Sequence, residues 1–146
     1  MAKTTVRRSR KTNRTKAQRA TNERRFAPRV LAEIDAAKIL GVRAGARSTH
    51  RFIGVWPVVV DGRVLARSWT LSPGGWYRTF LEDPLGVIQV GEREIRVRAR
   101  PVRSERIRDA VDAAYAVKYP TPGSATYVRG FRTRRRRDAT IEFLPR

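Results

Sequence analysis

The chain has 146 residues, enough for one domain with its own core and too few for two comfortable ones. It carries 33 Lys or Arg against 13 Asp or Glu, a net charge of +20, which points to an anionic ligand or partner. With no cysteine and a single histidine, His50, it excludes disulfides, thiolate metal sites, cysteine nucleophiles and a His-rich centre, and no metal is expected.

No apolar run approaches the roughly 20 residues of a membrane-spanning helix, and no apolar region follows the charged start as a secretory signal would require. A soluble, cytoplasmic protein without a membrane partner is expected. Residues 1–25 hold ten Lys or Arg, one acid (Glu23), and no Leu, Ile, Phe, Trp or Tyr. Such a segment cannot bury enough apolar surface to offset its ordering entropy, so a disordered basic tail is expected, followed by a domain over residues 26–146. Three readings of the tail stand side by side. It is an arm making nonspecific nucleic-acid contact through counterion release, a targeting segment, or residues lying upstream of the true start.

Pro28 suits a helix start, and Val30, Leu31, Ile34, Ala37, Ile39 and Leu40 predict a short amphipathic helix closed by Gly41. Val42 to Arg51 reads as a polar, basic linker whose Arg43, Arg47, Ser48, Thr49 and His50 include phosphate donors. Next come two apolar runs, Val55–Val60 and Arg63–Trp69, around Asp61-Gly62. Asp-Gly between such runs is a hairpin signal, because the two-residue turn that matches strand twist needs positive φ. A loop, Thr70 to Gly75, leads into a helix from Trp76 ended by Pro84, with Trp76, Tyr77 and Phe80 on one face. A second pair follows, Val87–Val90 and Glu94–Ala99, about a turn at Gly91-Glu92. There Ile95, Val97 and Ala99 alternate with Arg96, Arg98 and Arg100, the period of a half-buried strand.

Beyond Pro101, Ser104 suits an N-cap and Glu105 a first turn. Ile107, Ala110, Val111, Ala114, Tyr115 and Tyr119 make one apolar face of a helix that Pro120 and Pro122-Gly123 end. A basic loop, Arg129 to Arg137, leads to a last strand, Ala139–Leu144; the run Arg134–Arg137 is a candidate anion holder. The order predicts a mainly β chain with flanking helices (α+β), its five or so antiparallel strands forming a small closed or split β-barrel.

The segments Val60–Ser68, Gly75–Arg78 and Ile88–Gly91, the helix end Asp112–Tyr119 and the closing Ala139–Arg146 resemble, in order, a bacterial family of unknown function, number 2255. That resemblance spans about residues 29–146. More loosely, Gly74-Gly75-Trp76-Tyr77, Asp83-Pro84 and Val90-Gly91 are similar to the deazaflavin-dependent nitroreductases, with Gly41 to Gly45 approximating that family's basic segment. The second resemblance implies the split β-barrel shared with flavin-binding oxidase-like proteins, an FMN or deazaflavin cofactor, a reductase-type reaction and a homodimer. It also implies that the Ser68–Gly75 loop and the start of the Trp76 helix face cofactor phosphate. On this reading Arg47, Ser48, Arg67 and Ser68 are the donors, Gly74 and Gly75 form the phosphate loop, and Trp69, Trp76 and Tyr77 wall the ring.

Two other functions stay open. One is a nucleic-acid-binding module using the tail, the Arg96/Arg98/Arg100 stripe and the Arg134–Arg137 run. The other is a small-ligand-binding barrel without a cofactor. Hydrolysis is disfavoured, since no Gly-x-Ser-x-Gly elbow, paired-carboxylate motif or His-Glu-x-x-His is present, and no catalytic residue is assigned.

Overall fold

The structure, a computed structural model, describes residues 25–146. The expectations for the tail up to residue 24 lie outside the described residues. In chain order the elements are α1 (Pro28–Ala36), β1 (Leu40–Ala44), β2 (Ile53–Val55), β3 (Pro57–Val60), β4 (Arg63–Arg67), α2 (Trp76–Glu82), β5 (Leu85–Val90), β6 (Arg93–Pro101), α3 (Glu105–Lys118), α4 (Pro122–Gly130), α5 (Arg134–Asp138) and β7 (Thr140–Pro145). The strands make one seven-stranded sheet in the order β2-β1-β5-β6-β7-β4-β3, every neighbouring pair antiparallel.

The two edge strands of that sheet, β2 and β3, are joined by Trp56 alone. A one-residue link between the first and last strands forces the sheet to curl until its edges nearly meet. The result is the antiparallel, nearly closed split barrel with flanking helices expected from the sequence.

Local chemistry explains the turns. Asp61 and Gly62 both take positive φ, 51° and 75°, between the paired Val60 and Arg63, the mirror-image turn that Asp-Gly favours. Gly91, at φ 57°, opens the second tight turn, between the paired Val90 and Arg93. On β6, Val97 and Ala99 are buried while Arg96, Arg98 and Arg100 stand outward. The Ser104 hydroxyl caps α3 by accepting from the Ile107 N–H at 3.3 Å.

Two apolar clusters result. Inside the barrel, Val42, Val64, Ile88, Val97, Ile141 and Phe143 meet Ile34 of α1 and Trp76 and Phe80 of α2. Outside it, α3 lays Ile107, Val111 and Tyr115 against Val58 and Leu65, with Val128 and Phe131 completing the layer. Leu65 faces this layer while its neighbours Val64 and Ala66 face the barrel interior, so β4 is buried on both sides.

Five expectations are corrected. The first helix ends at Ala36, where the backbone turns extended at Ala37 (ψ 132°). Leu40, Val42 and Ala44 instead alternate inward as β1, within what reads as a helix end and a linker. The run Val55–Val60 is two strands, because Trp56 carries the chain from one sheet edge to the other and Pro57, lacking an N–H, begins an edge strand. Pro122 does not merely stop the preceding helix: it sits in the first turn of α4, whose N-cap Thr121 accepts from the Ser124 N–H at 3.3 Å. The basic loop contains α5. Among the described residues seven strands are present where about five were expected.

Candidate functional site

The barrel opens at its seam into a cleft of about 440 Å³ lined by Ile53, Gly54, Val55, Trp56, Arg67, Trp69, Thr70, Trp76, Tyr127 and Phe131. Small-molecule sites commonly enclose roughly 300–1,000 Å³ with mostly apolar walls and a few polar groups, and this cleft fits that description. β2 pairs with β1 alone and all three of its residues line the cleft, so its outer row of peptide groups is open to a ligand.

The walls are aromatic and interlocked. Trp56 stacks on Tyr119, with ring centroids 4.3 Å apart and planes 9° from parallel. Trp69 meets Tyr127 and Phe131 edge-on at 4.9 and 5.6 Å. Trp69 is 39% exposed, a large amount for an indole, whereas Trp76 is 5% exposed and packs against Phe80 and Phe143 inside the barrel. Trp69 therefore presents ring surface to the cleft, and Trp76 contributes to its floor.

Tyr115 fixes the seam beneath these rings. Its hydroxyl donates to the Trp56 carbonyl at 2.7 Å and accepts from the Arg67 N–H at 2.9 Å. Burial raises its phenol pKa well above the ordinary tyrosine range. Tyr119 donates to the Lys38 carbonyl at 2.8 Å, with the Pro57 carbonyl 3.2 Å from the same oxygen, and Lys118 donates to Pro57 at 2.9 Å. Side chains of α3 thus cover part of the β3 edge.

Arg67 lines the cleft, but its guanidinium is fully buried beside the α3–α5 contact. Nε donates to Thr140 Oγ1 at 2.8 Å, Nη1 to Asp112 and to the Phe131 carbonyl (3.0 Å), and Nη2 to the Arg108 carbonyl at 2.8 Å. Burial pulls its pKa below the usual guanidinium value against the opposing pull of Asp112. These bonds tie β4 to α3, β7 and the α4–α5 turn, and they leave the guanidinium no face toward a phosphate. Asp112 also accepts from Arg137, which donates further to Glu105 (2.8 Å) and Asp109 (3.0 Å).

The other expected site residues separate into three groups. Trp69 and Trp76 come together at the cleft. Ser68 is buried, donating to the Thr70 carbonyl, while Gly75 donates to the Ser72 carbonyl at 3.0 Å and Gly74 has open space around it. These residues shape the loop beside the cleft and are not among those that line it. Tyr77 is half-buried and its hydroxyl reaches the Asp138 carbonyl at 3.5 Å, a marginal contact.

Arg47 and Ser48 lie elsewhere. Their turn is bound to the far end of α2, where Asp83 accepts from the Ala46 N–H at 2.8 Å and Ser48 donates to the Ala44 carbonyl. Those N–H groups, Ala46 first and then Leu85, hold the Asp83 carboxyl below the ordinary range. Trp76 begins the seven-residue α2, so about 10 Å of helix separates this turn from the cleft. Sequence reasoning missed Trp56, Tyr127 and Phe131; the available signal was Thr121-Pro122, an N-cap with proline, which places Tyr127 and Phe131 one helical turn apart.

Residues 29–143 match the family model described as "Uncharacterized protein conserved in bacteria (DUF2255)". The chain belongs to this family. No curated protein matches significantly. Among solved structures, the chain is similar to the conserved hypothetical protein Rv2991 from Mycobacterium tuberculosis, with TM-score 0.54 and 10% identity over 84% of this chain and 81% of that one. It is also similar to an F420-H2 dependent reductase (FDR-A), with TM-score 0.50 and 18% identity over 74% and 92% of the two chains. A third similar structure is a FAD-binding protein from Mesorhizobium loti, with TM-score 0.50 and 11% identity over 82% and 88%. Likeness at these identities shows the fold, an antiparallel split barrel of the α+β class. No helix among the described residues is long and apolar enough to cross a membrane.

Proposed function

We propose that this chain binds a flavin or deazaflavin in the seam cleft and supports a reductase-type reaction. The carrying observation is the cleft itself: about 440 Å³, walled by Trp56, Trp69, Tyr127 and Phe131, with an open strand edge along one side. Flat aromatic walls suit a planar ring system, and open peptide groups of β2 suit a ring edge that both donates and accepts hydrogen bonds. Two structures of similar fold, named for F420-H2 dependence and FAD binding, support the reading.

When bound, such a cofactor supplies hydride transfer from its own ring. The residues of this chain would then bind and orient it. Trp69 and Tyr127 would pack against the ring, β2 would hold its edge, and the aromatic floor would exclude water from the reacting face.

The test is a visible-absorption titration of the purified, high-salt-washed protein with flavin mononucleotide and, separately, with deazaflavin. A saturable shift of the ring band that is lost in Trp69→Ala is the expected result. No shift with either compound overturns the proposal and leaves a cofactor-free ligand-binding barrel.

A further inference from the structure

The four arginines of the Arg134–Arg137 run have different surroundings. Arg137 turns toward the carboxylates of α3. Arg136 turns the other way, onto the cleft wall: its guanidinium carbon lies 3.8 Å from the Trp69 ring centroid, and its Nε donates to the Trp69 carbonyl at 2.9 Å. Ring and carbonyl together orient the planar fork, while Nη1 and Nη2 have no hydrogen-bond partner among the described residues. Arg132, Arg134 and Arg135 are exposed in the same turn and helix and add to the positive field there. Of the other cations expected to serve a ligand, Arg67 is buried on Asp112, and Arg47 sits in the turn bound to the far end of α2.

We propose that Arg136 is the anion-binding residue of the seam cleft, taking the phosphate of a planar aromatic ligand whose ring lies against Trp69. This rests on the ring-binding reading above and adds the ligand's polar end and its location. A guanidinium held with its terminal amino groups unengaged is preorganised for charge-assisted, two-pronged bonding to phosphate. The arrangement assigns that task to the α4–α5 segment and not to the Gly74-Gly75 loop.

Riboflavin and flavin mononucleotide share one ring system and differ by the phosphate, so the ratio of their affinities isolates this contact. Full-length protein is titrated with each at low and at high salt. The expected ratio is about tenfold or more in favour of the phosphorylated compound at low salt, shrinking as salt rises. Arg136→Ala is expected to bring the ratio close to one, and Arg136→Lys to retain part of it. Arg134→Ala with Arg135→Ala, which leaves the Trp69 stack in place, is expected to lower the ratio by a smaller factor; circular dichroism checks that each variant folds.

Equal affinities in the unmodified protein overturn the inference and leave the ring-binding proposal standing. So does an Arg136→Ala variant that weakens both compounds by the same factor, since Arg136 would then only support Trp69. Failure of both compounds to bind overturns this inference, and the ring-binding proposal then stands or falls on the deazaflavin titration.

Discussion

Gly130 and Trp69 meet backbone to ring: a Cβ at Gly130 would fall 2.5 Å from both Cη2 and Cζ3 of the indole. A methyl group at the end of α4 would therefore have to move the ring that forms one wall of the cleft. Gly130 sits at the end of a helix, so alanine would by propensity alone favour the folded state by up to about 1 kcal/mol. The overlap reverses that sign. Gly130→Ala is expected to destabilise by about 1–2 kcal/mol and to weaken binding of any ring packed on Trp69. Urea unfolding followed by tryptophan fluorescence measures the first effect, and a stabilised variant with unchanged emission would sink the idea.

The pair Arg67–Asp112 is the most consequential ion pair, because the Arg67 side chain has no exposure at all. Removing its carboxylate would leave a buried cation with only carbonyl and hydroxyl partners. Asp112→Ala is expected to cost about 3–5 kcal/mol, checked by the shift in denaturation midpoint. Arg93→Ala, whose own side chain and whose partner Glu33 are both exposed (45% and 37%), is expected to cost far less. Similar losses in the two variants would contradict this ranking.

Alkaline pH probes the seam. Burial holds the phenols of Tyr115 and Tyr119 above their ordinary pKa, near 10 in an unfolded chain. Above about pH 10 the unfolded chain releases protons that the folded one keeps, so stability is intact below that pH and falls above it. The expected slope approaches about 1.4 kcal/mol per pH unit for each tyrosine. Tyr115→Phe should remove one contribution and, by leaving Trp56 O and Arg67 N unpaired, cost about 1–3 kcal/mol at neutral pH. Denaturation midpoints from about pH 8 to about pH 11 measure both, and an unchanged slope in the variant would exclude Tyr115 as a source.

The hairpin about Asp61-Gly62, the helix from Trp76, the alternating strand after Gly91 and the Ser104 cap were legible in the sequence, because each is set by local chemistry. β1 was not: five residues including Gly41, Arg43 and Ala44 carry little strand preference, and they are held by pairing with both β2 and β5. The break at Trp56 was hidden for a similar reason. An apolar run reads as one strand until something shows that its two halves lie at opposite edges of a sheet. Trp69 and Trp76 were expected as ring walls from the looser family resemblance, and both line the cleft. Trp56 lies at the hidden break, and Tyr127 and Phe131 come from α4 and the residue after it, about sixty residues away in sequence from Trp69, so only tertiary packing brings these walls together.

β7 is the last strand in chain order, yet it lies between β6 and β4 and pairs with both. Without residues 140–145 the sheet falls into two pieces, β2-β1-β5-β6 and β4-β3. On the ribosome, the earlier hairpins can form as they emerge, but the ring of strands cannot close until this segment is synthesised and inserted. Barrel closure is therefore a late, long-range event, of the sort that slows folding and leaves strand edges exposed to other chains. Between the completion of β6 at Pro101 and the arrival of Thr140, the nascent polypeptide carries two sheet edges, those of β4 and β6, that only β7 satisfies.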